Sequence, residues 1–178
     1  MAIFLTAGHN NSDPGAVANG YRESDLTRHL RTKTISHIDK TKYQVHVDHD
    51  NWNLARTIKE LVTGPASACA DIHFNAGNPS ATGVEVFVPD DPSVLEIKYA
   101  NLICLDFSKI MGIKNRGVKR PSESQHKTLA ILSEQGINLL IEVCFISNQK
   151  DIAAFFKHDN DLAQALAARL MQMDDEIK

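Results

Sequence analysis

The sequence predicts an α/β fold, with a mixed, mostly parallel twisted sheet of about six strands and helices on both faces. Short apolar or alternating segments that favour strands take turns along the chain with longer segments of helical periodicity, a pattern typical of a layered α/β domain. The segments "DIHFNA" and "GVEVFV" follow each other closely enough to allow an antiparallel neighbour, which predicts a mixed sheet.

The first half of the chain supplies two strands and two helices. "AIFLTA" is a short apolar strand, and Ser24 is expected to cap a helix that carries Leu26 and Leu30 on one side. "YQVHVD" alternates with the period of a strand, and the helix predicted in "NWNLARTIKELVTGP" is expected to stop at Gly64 and Pro65. The apolar face of that second helix is predicted to consist of Leu54, Ala55, Ile58, Leu61 and Val62.

The second half of the chain supplies four strands and two helices. "ACADIHFNA" and "GVEVFVP" predict strands, and the capping-box spacing of Ser93 and Glu96 opens a helix that ends at Gly112. After a basic loop, "KNRGVKR", the segments "TLAIL" and "NLLIEVCFI" predict two more strands around a turn at Gly136. A last amphipathic helix closes the domain.

Length and composition indicate one soluble domain, residues 1–178. A chain of 178 residues with 43% hydrophobic residues can bury a core of its own, and a net charge of -3 lacks the cationic excess that nucleic acid or an anionic membrane surface requires. No apolar run is long enough to insert into a membrane. The first apolar run is shorter than the ~7–15 residues of a signal peptide, so synthesis in the cytoplasm without a signal peptide is expected.

The three cysteines are expected to be buried free thiols. Cys69, Cys104 and Cys144 are odd in number, lack C-x-x-C spacing and lie in apolar segments. This usage indicates a reducing compartment at synthesis.

Four polar residues at predicted strand and helix ends are candidates for a metal site. His9 follows the first strand, Glu23 opens the first helix and His73 ends the third strand, where loops of an open α/β sheet leave a crevice. Glu142 lies inside the apolar run "LLIEVCF", where a carboxylate is costly to bury without a cation or a donor. A catalytic zinc takes imidazoles and often one carboxylate, so a His-Glu-His set with Glu142 as the proton acceptor is one interpretation.

The spacing alone leaves other interpretations open. No compact metal motif such as H-E-x-x-H is present, so these residues could be scattered histidines and acids without a shared role. His46, His49 and His126 are alternative ligands, since "VHVDHD" also ends a strand beside carboxylates. The histidines expected at the surface are His29, His37 and His158.

Several segments together resemble a known family. "TAGHNNSDPGA", "DIHFNAG", "GVEVFV", "NRGVKR" and "LAILSEQGINLLIEVCFISNQKD" stand in the order and approximate spacing of the zinc-dependent N-acetylmuramoyl-L-alanine amidases of the amidase-3 type. This family provides the catalytic domains of bacterial autolysins and many phage endolysins. The resemblance runs from about Ile3 to Asp151, and its most specific parts are "HFNA" and "IEVCFISN".

The resemblance implies a reaction and a role for each candidate residue. His9, Glu23 and His73 would bind one zinc ion, and Glu142 would be the catalytic residue. The bond cut would be the amide between N-acetylmuramic acid and L-alanine in peptidoglycan, in lysis or remodelling of the cell wall. Zinc would lower the pKa of water toward ~7 and polarise the carbonyl, and Glu142 would move the proton to the leaving amine.

Two positions depart from the family pattern. Asn10 and Asn11 stand where glycine is common, and Asp71 stands where serine is expected. Asp71 precedes His73 by two residues, so both side chains leave the same face of a strand and Asp71 could orient the imidazole. The alternative is a strand-end carboxylate that is partly in water.

Three residues are candidates for substrate binding. Asn75 could contact substrate beside the metal, although an Asn-Ala-Gly loop is equally typical of a turn. Arg116 and Lys119, with Arg120, form a basic cluster that could receive stem-peptide carboxylates, or could simply be solvated.

Two other functions remain as alternatives at this point. A zinc carboxypeptidase-like hydrolase would use the same ligands on stem peptides, because ligation alone does not choose the bond. A non-catalytic wall-binding module would be expected to have lost at least one of the four site residues. Within the leading interpretation, we expect a monomeric endolysin that reaches the wall after a separate holin-type protein releases it.

Overall fold

The computed structural model describes residues 2–123 and 129–177. The strands are β1 (Ala2–Ala7), β2 (Val17–Ala18), β3 (Tyr21–Arg22), β4 (Val45–Val47), β5 (Ser67–Asn75), β6 (Val84–Phe87), β7 (Asn115–Lys119) and β8 (Ile137–Phe145). The helices are α1 (Glu23–Ser36), α2 (Leu54–Glu60), α3 (Val94–Met111) and α4 (Gln149–Glu176). Two 3₁₀ helices span Pro121–Glu123 and Ala130–Ser133.

One six-stranded mixed sheet organises the domain, in the order β4-β1-β5-β8-β6-β7. Strands β4, β1, β5 and β8 are parallel, β6 runs antiparallel to β8, and β7 is parallel to β6. The predicted fold class is thereby confirmed. The antiparallel neighbour of β6 is β8 and not β5, because the continuous apolar run of β8 is buried at every residue except Glu142 and takes a central position.

The two faces of the sheet have different surroundings. Alternate residues such as Ile72, Phe74 and Ile141 point into the main core, where α1, α3 and α4 pack. Their neighbours, such as His73 and Glu142, point to the opposite face, which carries α2, the second 3₁₀ helix and two clefts. The three long helices therefore leave one face of the sheet open.

The helix starts agree only partly with the sequence. Ser93 caps α3 as predicted: its Oγ accepts from Glu96 N at 3.2 Å, Glu96 Oε2 accepts from Ser93 N at 2.7 Å, and Gly112 ends the helix at φ 66°. The prediction that Ser24 caps α1 is wrong. The helix begins at Glu23, with Arg22 in the N-cap position, and Ser24 is buried within its first turn.

The second helix, α2, is shorter and more exposed than predicted. It ends at Glu60, before the expected glycine, and Leu54 and Val62 are exposed by 51% and 77%. The predicted apolar face is therefore not a core face. Only Thr57 is buried in α2, and Ile58 lies beside a small cavity on the open face of the sheet.

One predicted strand and one predicted loop were also wrong. Residues 130–133 of the region around "TLAIL" form a 3₁₀ helix, and residue 128 lies outside the described residues. Leu132 packs there against Phe87 and Leu140, so this segment covers the sheet and does not extend it. The predicted basic loop contains β7, which lies at the edge of the sheet and has β6 as its neighbour. An edge strand can carry polar side chains, so its sequence need not be apolar.

The cysteine prediction is confirmed, since Cys69, Cys104 and Cys144 are all buried and free. Burial raises the pKa of the Cys69 and Cys104 thiols to about 12, which makes them unreactive. Over residues 2–123 and 129–177, no helix has the length and hydropathy needed to cross a membrane.

Candidate metal centre

His9 lies just beyond β1 and points into the open face of the sheet. Its backbone is in the left-handed region, at φ 68°, which turns the ring toward the first residue of α1. His9 Nε2 lies 3.0 Å from Glu23 Oε2, and Nδ1 lies 2.9 Å from Asp13 Oδ2. Asp13 thus contacts the outer ring nitrogen, Nδ1, while the inner ring nitrogen, Nε2, faces Glu23.

Glu23 occupies the first position of α1 and is 4% exposed. Its two carboxylate oxygens accept backbone N–H groups from Ala16 at 2.9 Å and Phe74 at 3.1 Å. Burial alone would raise the Glu23 pKa, but hydrogen bonds with His73 and His9 hold it far below its usual range. Glu23 is therefore ionised and fixed in orientation.

His73 lies on β5 between two carboxylates. Its Nδ1 is 3.0 Å from Glu23 Oε1, and its Nε2 is 3.1 Å from Asp71 Oδ2. Thr6 Oγ1 donates to Asp71 Oδ1 at 2.7 Å, which fixes that carboxylate in turn. Burial would lower the pKa of His73, but Asp71 and Glu23 outweigh it and hold the pKa well above its ordinary value. The expected contact between Asp71 and His73 is present.

Two glycines make room for these imidazoles. A Cβ added at Gly8 would lie 2.3 Å from His73 Cε1. A Cβ added at Gly15 would lie 2.4 Å from His9 Cδ2 and 2.7 Å from Glu23 Oε2, and Gly15 also has φ +65°. Both positions therefore require glycine for the rings to sit where they do.

The three predicted ligands lie together and form a group that could bind a metal. His9, Glu23 and His73 each offer one ligand atom, and these atoms all lie within 4.8 Å of one another. Within the described part of the chain, no other group of three such residues does so. Two imidazoles and one carboxylate are the donors of many catalytic zinc sites, and each outer imidazole nitrogen has the carboxylate partner typical of such sites. The donor set fits zinc.

Glu142 stands beside the cluster on β8. In the sheet it is paired with His73 on one side and Glu85 on the other. Its Oε2 is buried and has no hydrogen-bond partner among the described residues. Burial raises the pKa of Glu142 to about 7; His73 opposes this rise, while Glu23 and Glu85 add to it. Glu142 is thus a carboxyl group that can gain or lose a proton near neutral pH.

A cleft of about 730 Å³ opens beside Glu142. Asn75, Arg116 and Lys119, the candidates for substrate binding, all line it. Glu85 joins two of them, because its carboxylate accepts from Asn75 Nδ2 and Arg116 Nε, each at 2.6 Å. Sequence reasoning missed Glu85, although a carboxylate inside the apolar "GVEVFV" is the same signal that singled out Glu142.

The other histidines among residues 2–123 and 129–177 do not join the cluster. His46 stacks on Phe4, with ring centroids 4.8 Å apart, and His49 lies 6.0 Å from the ring of Trp52. His126 lies outside the described residues. The three histidines expected at the surface each contact a polar side chain of α4: His29 contacts Asp159, His37 contacts Asn160 and His158 contacts Asp161.

Asn10 and Asn11 shape the loop after β1. Asn10 is buried, and its Oδ1 accepts from the backbone N–H groups of Ser12 at 2.8 Å and Asp13 at 3.1 Å. Asn11 Nδ2 donates to Asn51 Oδ1 at 2.7 Å. The pair therefore positions Asp13 under His9 and ties this loop to the loop that follows β4.

Comparison with known proteins places this geometry in a family. A family model described as N-acetylmuramoyl-L-alanine amidase, Amidase_3, matches residues 3–172. The endolysin of Bacillus phage SPP1 is 27% identical over 179 residues, which cover 96% of this chain and 65% of that protein. N-acetylmuramoyl-L-alanine amidase CwlM of Bacillus licheniformis is 26% identical, over 93% of this chain and 68% of that protein. The chain thus spans about two thirds of the length of these relatives.

Solved structures agree on the fold. The N-acetylmuramoyl-L-alanine amidase from Clostridium difficile 630 has a TM-score of 0.82 at 20% identity, covering 98% of this chain and 96% of that chain. The catalytic domain of the CD27L endolysin targeting Clostridia difficile has a TM-score of 0.78 at 23% identity, covering 97% of each chain. With the family model matching nearly the whole sequence, the chain belongs to the Amidase_3 family of N-acetylmuramoyl-L-alanine amidases.

Proposed function

We propose that this chain hydrolyses the amide bond between N-acetylmuramic acid and L-alanine in peptidoglycan, and so lyses or remodels bacterial cell walls. Family membership supports both the reaction and the substrate. The observation that carries the proposal is the convergence of His9, Glu23 and His73 beside a buried Glu142 oxygen that has no partner among the described residues. All four residues line one cleft.

The proposed cofactor is one zinc ion, held by His9 Nε2, a Glu23 oxygen and His73 Nδ1. Asp13 and Asp71 keep the two imidazoles oriented through their outer nitrogens. When bound, zinc lowers the pKa of water toward ~7 and polarises the carbonyl that is attacked. The short contacts of Glu23 with both imidazoles, 3.0 Å each, support a site that is already assembled.

Glu142 moves the proton. It accepts a proton from the attacking water, holds it on the carboxyl group and donates it to the leaving nitrogen of L-alanine. A pKa of about 7 suits both halves of this cycle, because a group that titrates near neutral pH can both accept a proton and give it up again. Asn75, Arg116 and Lys119 are proposed to contact the substrate, since they line the same cleft.

Digestion of purified peptidoglycan, followed by mass analysis of the fragments, tests the reaction. We expect free stem peptides that begin with L-alanine, and we expect their release to stop when a chelator removes the metal. Stem peptides trimmed at the carboxyl end, still attached to the glycan, would instead identify a carboxypeptidase-like enzyme.

The Glu142→Gln variant tests the role of the base. It keeps the shape of the side chain but cannot accept a proton, so turnover is expected to fall by about 10²–10⁴ while one zinc ion still binds. Glu60→Gln is the matched control, because Glu60 is exposed at the end of α2 and should keep full activity. An active Glu142→Gln enzyme would contradict the assignment.

The proposal also includes the route to the wall. The similarity to a phage endolysin supports an enzyme that is made in the cytoplasm and reaches the wall after release by a separate holin-type protein. We propose that it acts as a monomer. Light scattering on the purified chain tests the monomer, and lysis of cells only when a holin is expressed with it tests the release.

A further inference from the structure

The cleft has two arms that open on opposite sides of the metal cluster. The first, called the Lys119 arm, has a volume of about 730 Å³ and includes Glu142 and Arg116. The second, called the Trp52 arm, has a volume of about 450 Å³ and includes Trp52 and Asn53. His9 and His73 border both arms. The sheet order explains the arrangement, because the Lys119 arm extends over β8, β6 and β7, whereas the Trp52 arm extends over β5, β1 and the loop after β4. Leu129 and Leu140 also line both arms.

We propose that the substrate binds this cleft in one direction, with the muramoyl sugar in the Trp52 arm and the stem peptide in the Lys119 arm. This inference rests on the proposed function and deepens it. It assigns a sugar site to residues around Trp52 and a carboxylate-binding role to Lys119.

The first argument is the position of the proton donor. Amide hydrolysis protonates the leaving nitrogen, and the donor must lie within hydrogen-bond reach of it. Glu142 lines the Lys119 arm and does not line the Trp52 arm. The leaving group is the stem peptide, so the peptide extends past Glu142, and the acyl group with its sugar extends to the other side.

The second argument is the charge of each arm. The residues that line the Trp52 arm include the carboxylates of Asp13 and Asp71 and no lysine or arginine among those described, which suits a neutral sugar and repels an anionic peptide. The Lys119 arm holds two cations beside the carboxylates of Glu23, Glu85 and Glu142. Arg116 is already paired through Nε with Glu85, whereas Lys119 makes no ion pair with any residue in the described ranges. Lys119 is therefore the cation available to a carboxylate of the stem peptide.

The third argument is the aromatic side chain itself. A pyranose ring has an apolar face of C–H groups that packs on an aromatic ring, and pockets for such ligands combine aromatic surface with a few polar groups. Trp52, with Asn53 and Asn10, gives the Trp52 arm this combination. Arg56 also lies over the indole ring, with its guanidinium carbon 5.3 Å from the ring centroid.

The loop that carries Trp52 is firmly attached to the catalytic side. Asn11 N donates to Asp50 O at 2.8 Å, and Asn11 Nδ2 donates to Asn51 Oδ1 at 2.7 Å. Arg31 Nη2 also donates to Asp50 Oδ1 at 2.5 Å. The loop is thus held at a fixed place relative to His9, as a preformed sugar site requires.

Trp52 is the single tryptophan of the chain, so its fluorescence reports on the Trp52 arm directly. The wild-type protein is titrated with the carboxamide of N-acetylmuramic acid and, separately, with a free stem tetrapeptide. The sugar is expected to change the emission in a saturable way, and the peptide is expected to leave it unchanged. A saturable change with the peptide and none with the sugar would overturn the proposal.

Kinetics with matched substrates provide the second test. Trp52→Ala is expected to raise KM about tenfold for a muramoyl peptide but not for a D-lactoyl peptide that lacks the sugar, and Trp52→Phe is expected to restore most of the loss. Lys119→Met is expected to raise KM about 10- to 100-fold for stems with free carboxylates and to leave amidated stems unchanged. Val62→Ala, an exposed change just after α2, is the control and should leave every KM unchanged.

The outcomes separate the two proposals. If the wild-type enzyme released no peptide from either substrate, the proposed function would fail, while the fluorescence titration, which needs no turnover, would still decide where the sugar binds. The assigned direction would be wrong if Trp52→Ala raised KM equally for the muramoyl and D-lactoyl peptides. It would also be wrong if the KM of Lys119→Met depended on the presence of the sugar and not on the stem carboxylates.

Discussion

Replacing Gly15 by alanine should strongly weaken zinc binding at the proposed site without unfolding the protein. A Cβ at this position would lie 2.4 Å from His9 Cδ2, whereas ordinary contacts begin at 3.4 Å, so the ring must retreat by about 1 Å. Metal sites tolerate about 0.2 Å in ligand distances. We therefore expect zinc affinity to fall by at least about 100-fold, which corresponds to about 3 kcal/mol.

Gly20 supplies the matched control. Gly15 and Gly20 both have a positive φ, +65° and +81°, but a Cβ at Gly20 would meet nothing within 4 Å. Alanine at either position pays the cost of the left-handed conformation, about 1–2 kcal/mol, and only the change at Gly15 also displaces a ligand. Gly15→Ala and Gly20→Ala should therefore lose similar free energy of unfolding, while zinc affinity falls in Gly15→Ala alone.

Two measurements on the purified variants decide the question. Competition with a chromophoric chelator gives the zinc affinity, and denaturant unfolding of the zinc-free proteins gives the stability. A folded Gly15→Ala protein that binds zinc as tightly as Gly20→Ala would refute the reasoning that Gly15 is needed to place His9.

Three further changes have defined outcomes. Asp71→Asn should weaken zinc binding about 10- to 100-fold in the same competition assay, because His73 loses its anionic partner; a change below about threefold would contradict this. Arg31→Met should lower the free energy of unfolding in denaturant by about 3 kcal/mol, since it leaves the buried Asp48 carboxylate uncompensated. Arg28→Met is its control on the same helix and should cost less than about 1 kcal/mol, and equal losses would argue against the burial effect. Zinc at about 100 times its Kd should stabilise the protein by about 2.7 kcal/mol, seen by calorimetry as a midpoint that rises by about 5–10 °C and returns when a chelator is added.

The central sheet could be predicted from the sequence because its strands are apolar. β1, β5 and β8 are buried along most of their length, and their runs stand out in the chain. β7 could not be recognised in the same way, since an edge strand needs no apolar pattern and "NRGVK" is typical of a loop. The reverse error occurred at residues 130–132, where an apolar segment packs over the sheet as a 3₁₀ helix.

The site could be predicted in part for a similar reason. His9 follows β1, and His73 lies near the end of β5, the parallel neighbour of β1, so their proximity follows from strand pairing. Asp13 could not be identified, because an acid in a Gly- and Pro-containing loop looks like turn chemistry. Trp52 also required the structure, since its place beside the cluster depends on contacts between two loops that lie about 40 residues apart.

The alternation of side chains along β5 couples the chemistry of the site to the identity of the core. His73 faces the cleft, while Phe74 packs against Phe155 with ring centroids 4.9 Å apart. A slip of one residue in the pairing of β5 would move a phenylalanine into the cleft and an imidazole into the apolar interior. The free energy of the misplaced core would exclude that state before any metal arrived. The hydrophobic face of β5 therefore fixes the register of the proposed metal ligand His73, although the residues of that face belong to the core.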